Sequence, residues 1–182
     1  MPSRPDLSSA ERETLARILR PEVLARIRQP TETGTGLPNA AFTDPEFLAL
    51  ENKLLFPRTW ALAGYCHELA EPGDAVPVEV AGVPLILLRT RKTGEIAGFQ
   101  NVCRHRGTQL LSKPCKGAMA LACPYHGWTY SLEGKLLKRP LFEGPNGHGE
   151  ETDLQLFAVR IALWHDLIFV NLDGKAPAFE DY

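Results

Sequence analysis

Asn101-Val102-Cys103-Arg104-His105-Arg106-Gly107 and Cys123-Pro124-Tyr125-His126-Gly127-Trp128-Thr129-Tyr130 are the two stretches on which the reading of this chain turns. Each supplies one thiol and one imidazole, and seventeen residues separate His105 from Cys123. Two Cys and two His divided evenly between two loops suit a two-iron, two-sulfide cluster, with thiolates on one iron and imidazoles on the other. Each loop must then reach both irons, so the ligands within a loop need close spacing but not the strict i, i+4 of a helical metal site. Gly107 and Gly127 close the two stretches, and Pro124 sits inside the second. Glycine lets backbone N–H groups approach closely, and proline fixes φ while giving up a donor the loop can spare. The loop amides are the expected donors to the cluster sulfurs.

Zinc is the competitor, because two Cys and two His also close a tetrahedral structural site. Zinc fingers and ribbons usually open with Cys-x2-4-Cys and set their His together. Cys-x-His followed by a distant Cys-x-x-His departs from that layout. Spacing favours iron, and a non-redox zinc-held binding module stays open as an alternative.

Taken together, the two runs resemble the Rieske domain of the ring-hydroxylating, non-haem iron oxygenases. Upstream Leu55-Phe56-Pro57-Arg58-Thr59-Trp60 and downstream Trp164-His165-Asp166-Leu167-Ile168-Phe169-Val170-Asn171-Leu172 look like the same family's large (alpha) subunit. The resemblance implies a mostly β fold, a Rieske-type antiparallel β-sandwich with an inserted cluster-binding subdomain. It implies a Rieske 2Fe-2S cluster on Cys103, His105, Cys123 and His126. It also implies one-electron transfer as the oxidoreductase component of an aromatic-ring-hydroxylating dioxygenase or a related monooxygenase. A ferredoxin or flavin reductase would be the donor. The acceptor would be a mononuclear non-haem iron in the oxygenase catalytic domain or in a neighbouring subunit of a trimer. In the family that iron lies in a C-terminal domain expected to begin about where this sequence stops. No catalytic residue is therefore assigned, and the isolated chain is expected to carry electrons without hydroxylating anything. A stand-alone Rieske-type ferredoxin is the alternative, and the helical arm at residues 1–58 speaks against it.

The resemblance also assigns neighbours to the ligands. Tyr125 and Trp128 are expected to pack over the cluster and limit water. Arg104 and Arg106 flank His105, to steady negative charge or to pair with acidic residues, with Arg106 weighted toward structure. Respiratory Rieske proteins usually bridge their loops with an extra disulfide. Here Thr108 follows Gly107 and Trp128 follows Gly127, so no such bridge is available, and Trp128 replaces a cluster-bonding Ser. A potential toward the lower part of roughly −150 to +300 mV is expected. Reduction beside two imidazoles should also make the potential fall as pH rises in the alkaline range.

Composition agrees with an ordinary globular chain: 182 residues, 44% hydrophobic, with a formal charge of −2. That charge gives no support to a nucleic-acid partner. No stretch approaches the ~18 apolar residues of a membrane span, and the N-terminus lacks an apolar signal segment, so the cytoplasm is the expected location. Of the remaining cysteines, Cys66 reads as a small core residue and Cys115 as an exposed loop residue. His67, His148 and His165 read as structural or surface residues.

Residues 1–41 are expected to form a helical arm and linker, and 42–182 the Rieske domain. Within the arm, 8–28 reads as two short helices broken by Pro21, with Ser8 and Glu11 as a capping box and several Arg on one side. Gln29 to Ala41 is a Pro/Gly/Thr connector. A third helix has Thr43 as its cap, Pro45 in its first turn and Glu46 closing a capping box, and ends at Phe56-Pro57. Strands are expected at 59–65, 75–80, 83–90, 95–102, 127–132, 156–163 and 167–171, joined by Ala81-Gly82, Lys92-Thr93-Gly94, Glu133-Gly134 and His165-Asp166. The ligand loops fall in an insertion between the fourth and fifth of these. Residues 138–155 have loop composition.

Overall fold

The computed structural model describes residues 6–140 and 154–182. Most of the 138–155 loop, with His148, lies outside the described residues. The chain divides into two compact units, a helical one ending at Leu55 and a β one running from Phe56 to Tyr182.

In the helical unit, Ser8 opens α1 (Ser9–Ile18) with the expected reciprocal capping box. Pro21 is the first residue of α2 (Pro21–Ile27), where its missing N–H costs nothing. A single turn, α3 (Ala40–Thr43), precedes α4 (Pro45–Leu54). The cap of α4 is Asp44, not Thr43: its carboxylate accepts from the N–H groups of Glu46 and Phe47. With Pro45 at the first helical position, the residue directly before it takes the cap, and Thr43 is left inside α3. Glu46 does not close a box. It accepts from the Thr14 hydroxyl at 2.9 Å and from Arg17, which also reaches Asp44 at 2.7 Å. Part of the arm's basic side is thus spent on pairs within the unit. Ile18, Ala41 and Phe47 form its small core.

The β unit is built on one antiparallel six-stranded sheet in the order β1-β9-β8-β4-β3-β2. The strands are β1 (Ala61–Tyr65), β2 (Ala75–Val80), β3 (Val83–Arg89), β4 (Ile96–Gln100), β8 (Ala158–Trp164) and β9 (Leu167–Asn171). The sheet curls until its edge strands β1 and β2 meet, a nearly closed barrel. Its interior holds Leu69, Leu85, Leu87, Ile168 and Val170. β3 is buried on both faces. Leu85 and Leu87 point into the barrel, while Ile86 and Leu88 on the alternate face enter a second core.

That second core belongs to a lobe inserted between β4 and β8. The lobe has a three-stranded sheet of its own, β5 (Leu121–Ala122), β6 (Thr129–Tyr130) and β7 (Leu136–Lys138). β5 and β7 are additions to the expected strands, too short for a two-residue period to register. The lobe's Leu110, Leu121, Trp128, Tyr130 and Leu132 pack with Ala75, Ile86, Leu88 and Phe99 of the barrel. The mostly β, antiparallel architecture with an inserted subdomain and preceding helices is as expected.

Candidate metal centre

The loops that carry the four expected ligands close in the same way. In the first, Cys103 N–H donates to Thr108 O (2.8 Å) and Gly107 N–H to Cys103 O (2.9 Å). In the second, Cys123 N–H donates to Trp128 O (2.7 Å) and Gly127 N–H to Cys123 O (3.1 Å). Glycine stands four residues after the cysteine in both, at φ of 73° and 71°. Only a residue without Cβ enters that region at no cost, so each glycine is where its loop turns back. The glycine N–H groups are used to close the loops. The amide that does reach a thiol is that of His105, which donates to Cys103.

The closed loops present like to like. The thiols of Cys103 and Cys123 lie within hydrogen-bonding range of each other, 2% and 5% exposed. Burial pushes the Cys103 thiol up in pKa, against the hydrogen bonds it receives from Tyr130 and the His105 amide. The imidazoles of His105 and His126 meet edge-on with ring centres 4.9 Å apart, and both are half-buried. Desolvation, then His126 and Arg106, hold the His105 pKa below its ordinary value. His126 Nδ1 is buried and has no hydrogen-bond partner among the described residues.

The expected neighbours divide. Trp128, 5% exposed, stacks on His105 with ring centres 4.8 Å apart, and so shields it from water. Tyr125 lies with its ring 3.7 Å from that of His126 but is 57% exposed, so it borders the site without sealing it. Arg104 has no acidic partner among the described residues. Its guanidinium donates to Gln155 O (2.5 Å) and lies over the Phe157 ring (3.9 Å), tying the first loop to the strand that leaves the lobe. Arg106 is exposed beside the imidazoles.

Three residues that the sequence reading gave no role support the loops. Tyr130, fully buried on β6, accepts the Arg104 N–H at 3.0 Å, and its own O–H lies 3.5 Å from Cys103 Sγ. Burial and the neighbouring thiol raise its pKa. A tyrosine inside a buried strand needs a partner for its hydroxyl, and that was the available signal. Asn101, 1% exposed, receives the N–H groups of Leu110 and Leu111 and donates to Leu111 O (2.7 Å). Asp74 receives Lys116 Nζ (3.0 Å) and the Gly117 N–H (3.3 Å), beside a two-bond bridge between Ala75 and Cys115. These contacts fasten the segment between the loops to the barrel.

The residues set aside from the site are elsewhere. All four cysteines are free of disulfides. Cys66 and Cys115 are half-buried, and burial raises both thiols in pKa. His67, in the short turn after β1, pairs with Asp166 of the β8–β9 turn, where His165 takes a φ of 53°.

Residues 59–146 match the Rieske [2Fe-2S] domain family. The chain is 37% identical over 150 residues to the glycine betaine monooxygenase oxygenase subunit of Chromohalobacter salexigens, spanning 80% of this chain and 32% of that one. It is 33% identical over 152 residues to the carnitine monooxygenase oxygenase subunit of Escherichia coli, spanning 84% and 40%. Among solved structures, naphthalene 1,2-dioxygenase from Rhodococcus sp. superposes with a TM-score of 0.76 at 31% identity, over 97% of this chain and 38% of that one. Residues 59–146 are therefore a Rieske [2Fe-2S] domain, and the relatives that the chain matches are oxygenase (alpha) subunits of Rieske oxygenases. The chain spans about a third of the length of such curated relatives. No helix among the described residues is long and apolar enough to cross a membrane.

Proposed function

We propose that Cys103 and Cys123 hold one iron of the cluster and His105 and His126 the other, and that this chain is the electron-transfer part of a Rieske oxygenase. The observation that carries this reading is the pairing of thiol with thiol and imidazole with imidazole across two equivalent loops. A tetrahedral zinc ion needs four donors around one point. Here the donors stand as two pairs, and among the described residues no three His, Cys, Asp or Glu side chains converge on a single-ion site. The orphaned Nδ1 of His126, buried at a cost of about 1–3 kcal/mol if left unbonded, fits a nitrogen kept for a metal.

When bound, such a cluster accepts and releases one electron at a time. The chain's own residues hold the thiols dry, shield His105 with Trp128 and leave the imidazole pair half-exposed. The imidazole side is therefore the edge that a partner approaches. Electrons from a ferredoxin or flavin reductase would enter there and leave for a mononuclear iron in an oxygenase catalytic domain or a neighbouring subunit.

The test is iron, zinc and sulfide content with paramagnetic resonance of the dithionite-reduced protein. Two irons per chain and a rhombic Rieske signal are expected, and both are lost in His105→Ala and in His126→Ala. A colourless, zinc-loaded protein, or an unaltered signal in either variant, overturns the assignment.

A further inference from the structure

We propose that Arg104 is a positioning residue: its clamped side chain fixes its own backbone N–H against Tyr130, so that the Tyr130 hydroxyl proton points at the Cys103 sulfur. This rests on the ligand assignment above. The Tyr130 hydroxyl has one proton to give and lone pairs that accept. The Arg104 N–H donates to its oxygen at 3.0 Å, and Cys103 Sγ lies 3.5 Å from the same oxygen. A thiolate that holds iron has no proton of its own, so between hydroxyl and sulfur only the hydroxyl can donate. Accepting one hydrogen bond also polarises the hydroxyl and strengthens the one it gives. The Arg104 amide thus aims and reinforces a bond between two other residues.

That amide lies in the loop between Cys103 and His105, and it keeps its direction only if the loop cannot rock. The side chain of the same residue supplies the restraint. Its guanidinium donates to Gln155 O at 2.5 Å and lies 3.9 Å from the centre of the Phe157 ring. The far end of this clamp is itself fixed. Leu156, 5% exposed, donates its N–H to Gly134 O (2.9 Å), and Phe157 O accepts from the Gln100 N–H of β4 (2.8 Å). Gly134 is in turn pressed on Phe99, where an added Cβ would stand 2.5 Å from the ring. Arginine suits the task, because one planar group donates in its plane to a carbonyl while resting its face on an aromatic ring. Lysine keeps the charge without making both contacts.

A guanidinium acting by charge alone would behave differently, and a cycle of variants separates the two actions. The cluster-loaded protein and its variants are compared by protein-film voltammetry, with iron content and thermal unfolding checking that each is loaded and folded. The potential of Arg104→Lys should fall toward that of Tyr130→Phe and not past it. Adding Arg104→Lys to Tyr130→Phe should shift the potential no further. Phe157→Leu, at a ring that is 47% exposed, should move it the same way by a smaller step. An Arg104→Lys protein at the wild-type potential overturns the proposal, as does a fall that persists undiminished in the Tyr130→Phe background. Should Arg104→Lys fail to load, Phe157→Leu in the two backgrounds decides by the same criteria. A wild-type chain that binds no cluster defeats the ligand assignment, and the proposal falls with it.

Discussion

The loops at 103–108 and 123–128 are alike in backbone and unlike in support. Both close through the same two hydrogen bonds around a left-handed glycine, although the histidine stands two residues after the cysteine in one and three in the other. Their surroundings differ. The first loop is held from outside itself: Asn101 binds the segment after it, Arg104 reaches Gln155, and Tyr130 bonds both the Arg104 amide and the Cys103 thiol. The second loop is the source of two of the shared contacts, since the strand that leaves it bears Tyr130 and its own last residue, Trp128, stacks on His105. Local geometry makes the two loops equivalent, and long-range contacts make them unequal. The proposed ligation rests on the equivalence, and tuning of a bound cluster would use the difference.

The strongest way to break the comparison is Asn101→Ala. It strands the N–H groups of Leu110 and Leu111 and the Leu111 carbonyl on the first loop's side only, and should cost about 2–4 kcal/mol. Urea unfolding measures this, and a loss below about 1 kcal/mol would mean that water replaces the amide. The equivalence itself is sharpened by Gly107→Ala and Gly127→Ala. The added Cβ finds only Val102 at 3.9 Å in one case and Pro140 at 3.5 Å in the other, so neither is crowded. Both should lose the same about 1–2 kcal/mol from backbone strain alone. Unequal losses in thermal unfolding would show that the loops do not share one closure.

Tyr130→Phe separates the loops by redox behaviour. Its hydroxyl is within hydrogen-bond distance of the Cys103 thiol, and a donor to a sulfur stabilises the more negative, reduced state. Removing it should lower the potential by roughly 20–60 mV, the equivalent of one hydrogen bond. An unchanged potential in protein-film voltammetry would place the hydroxyl's proton elsewhere. The smallest effect concerns the segment that joins the loops. The Glu71 amide, then Lys116, hold the Asp74 carboxyl below its ordinary pKa. Its contribution to stability is therefore complete above about pH 4 and is lost as pH falls through the lowered folded value. The stability gap between wild type and Asp74→Asn should stay constant above that pH and close in acid. A gap that persists into strong acid would show that Asp74 acts through shape and not through charge.

How far the fold could be read depended on the range of the interactions. The capping box of Ser8 and Glu11, the turn at Ala81-Gly82 and the long strands β2, β3 and β9 are local and were legible. The cap of α4 was misplaced by one residue because Thr43 and Asp44 are both good caps, and the position of Pro45 decides between them. β5 and β7 are two and three residues long and exist because β6 lies between them, so no pattern of their own announces them. The four proposed ligands were legible as residue types at a spacing. Tyr125 was expected to cover the site, yet a ring next to a ligand in sequence is not thereby turned inward. Asn101 and Asp74 gave no signal beyond being polar, and Tyr130 only its place in a buried strand, since their partners lie up to ten, forty-three and twenty-seven positions away.

The amino-acid order alone settled which donors are offered, how closely they are spaced, and that a glycine ends each loop, because these depend on neighbours a few bonds apart. Only the folded chain decided that thiol faces thiol and imidazole meets imidazole, and that Trp128 and Tyr130 cross from one loop to serve the other. Those juxtapositions come from packing the inserted lobe against Ile86, Leu88 and Phe99 of the barrel, a contact between segments remote in sequence that no local preference encodes.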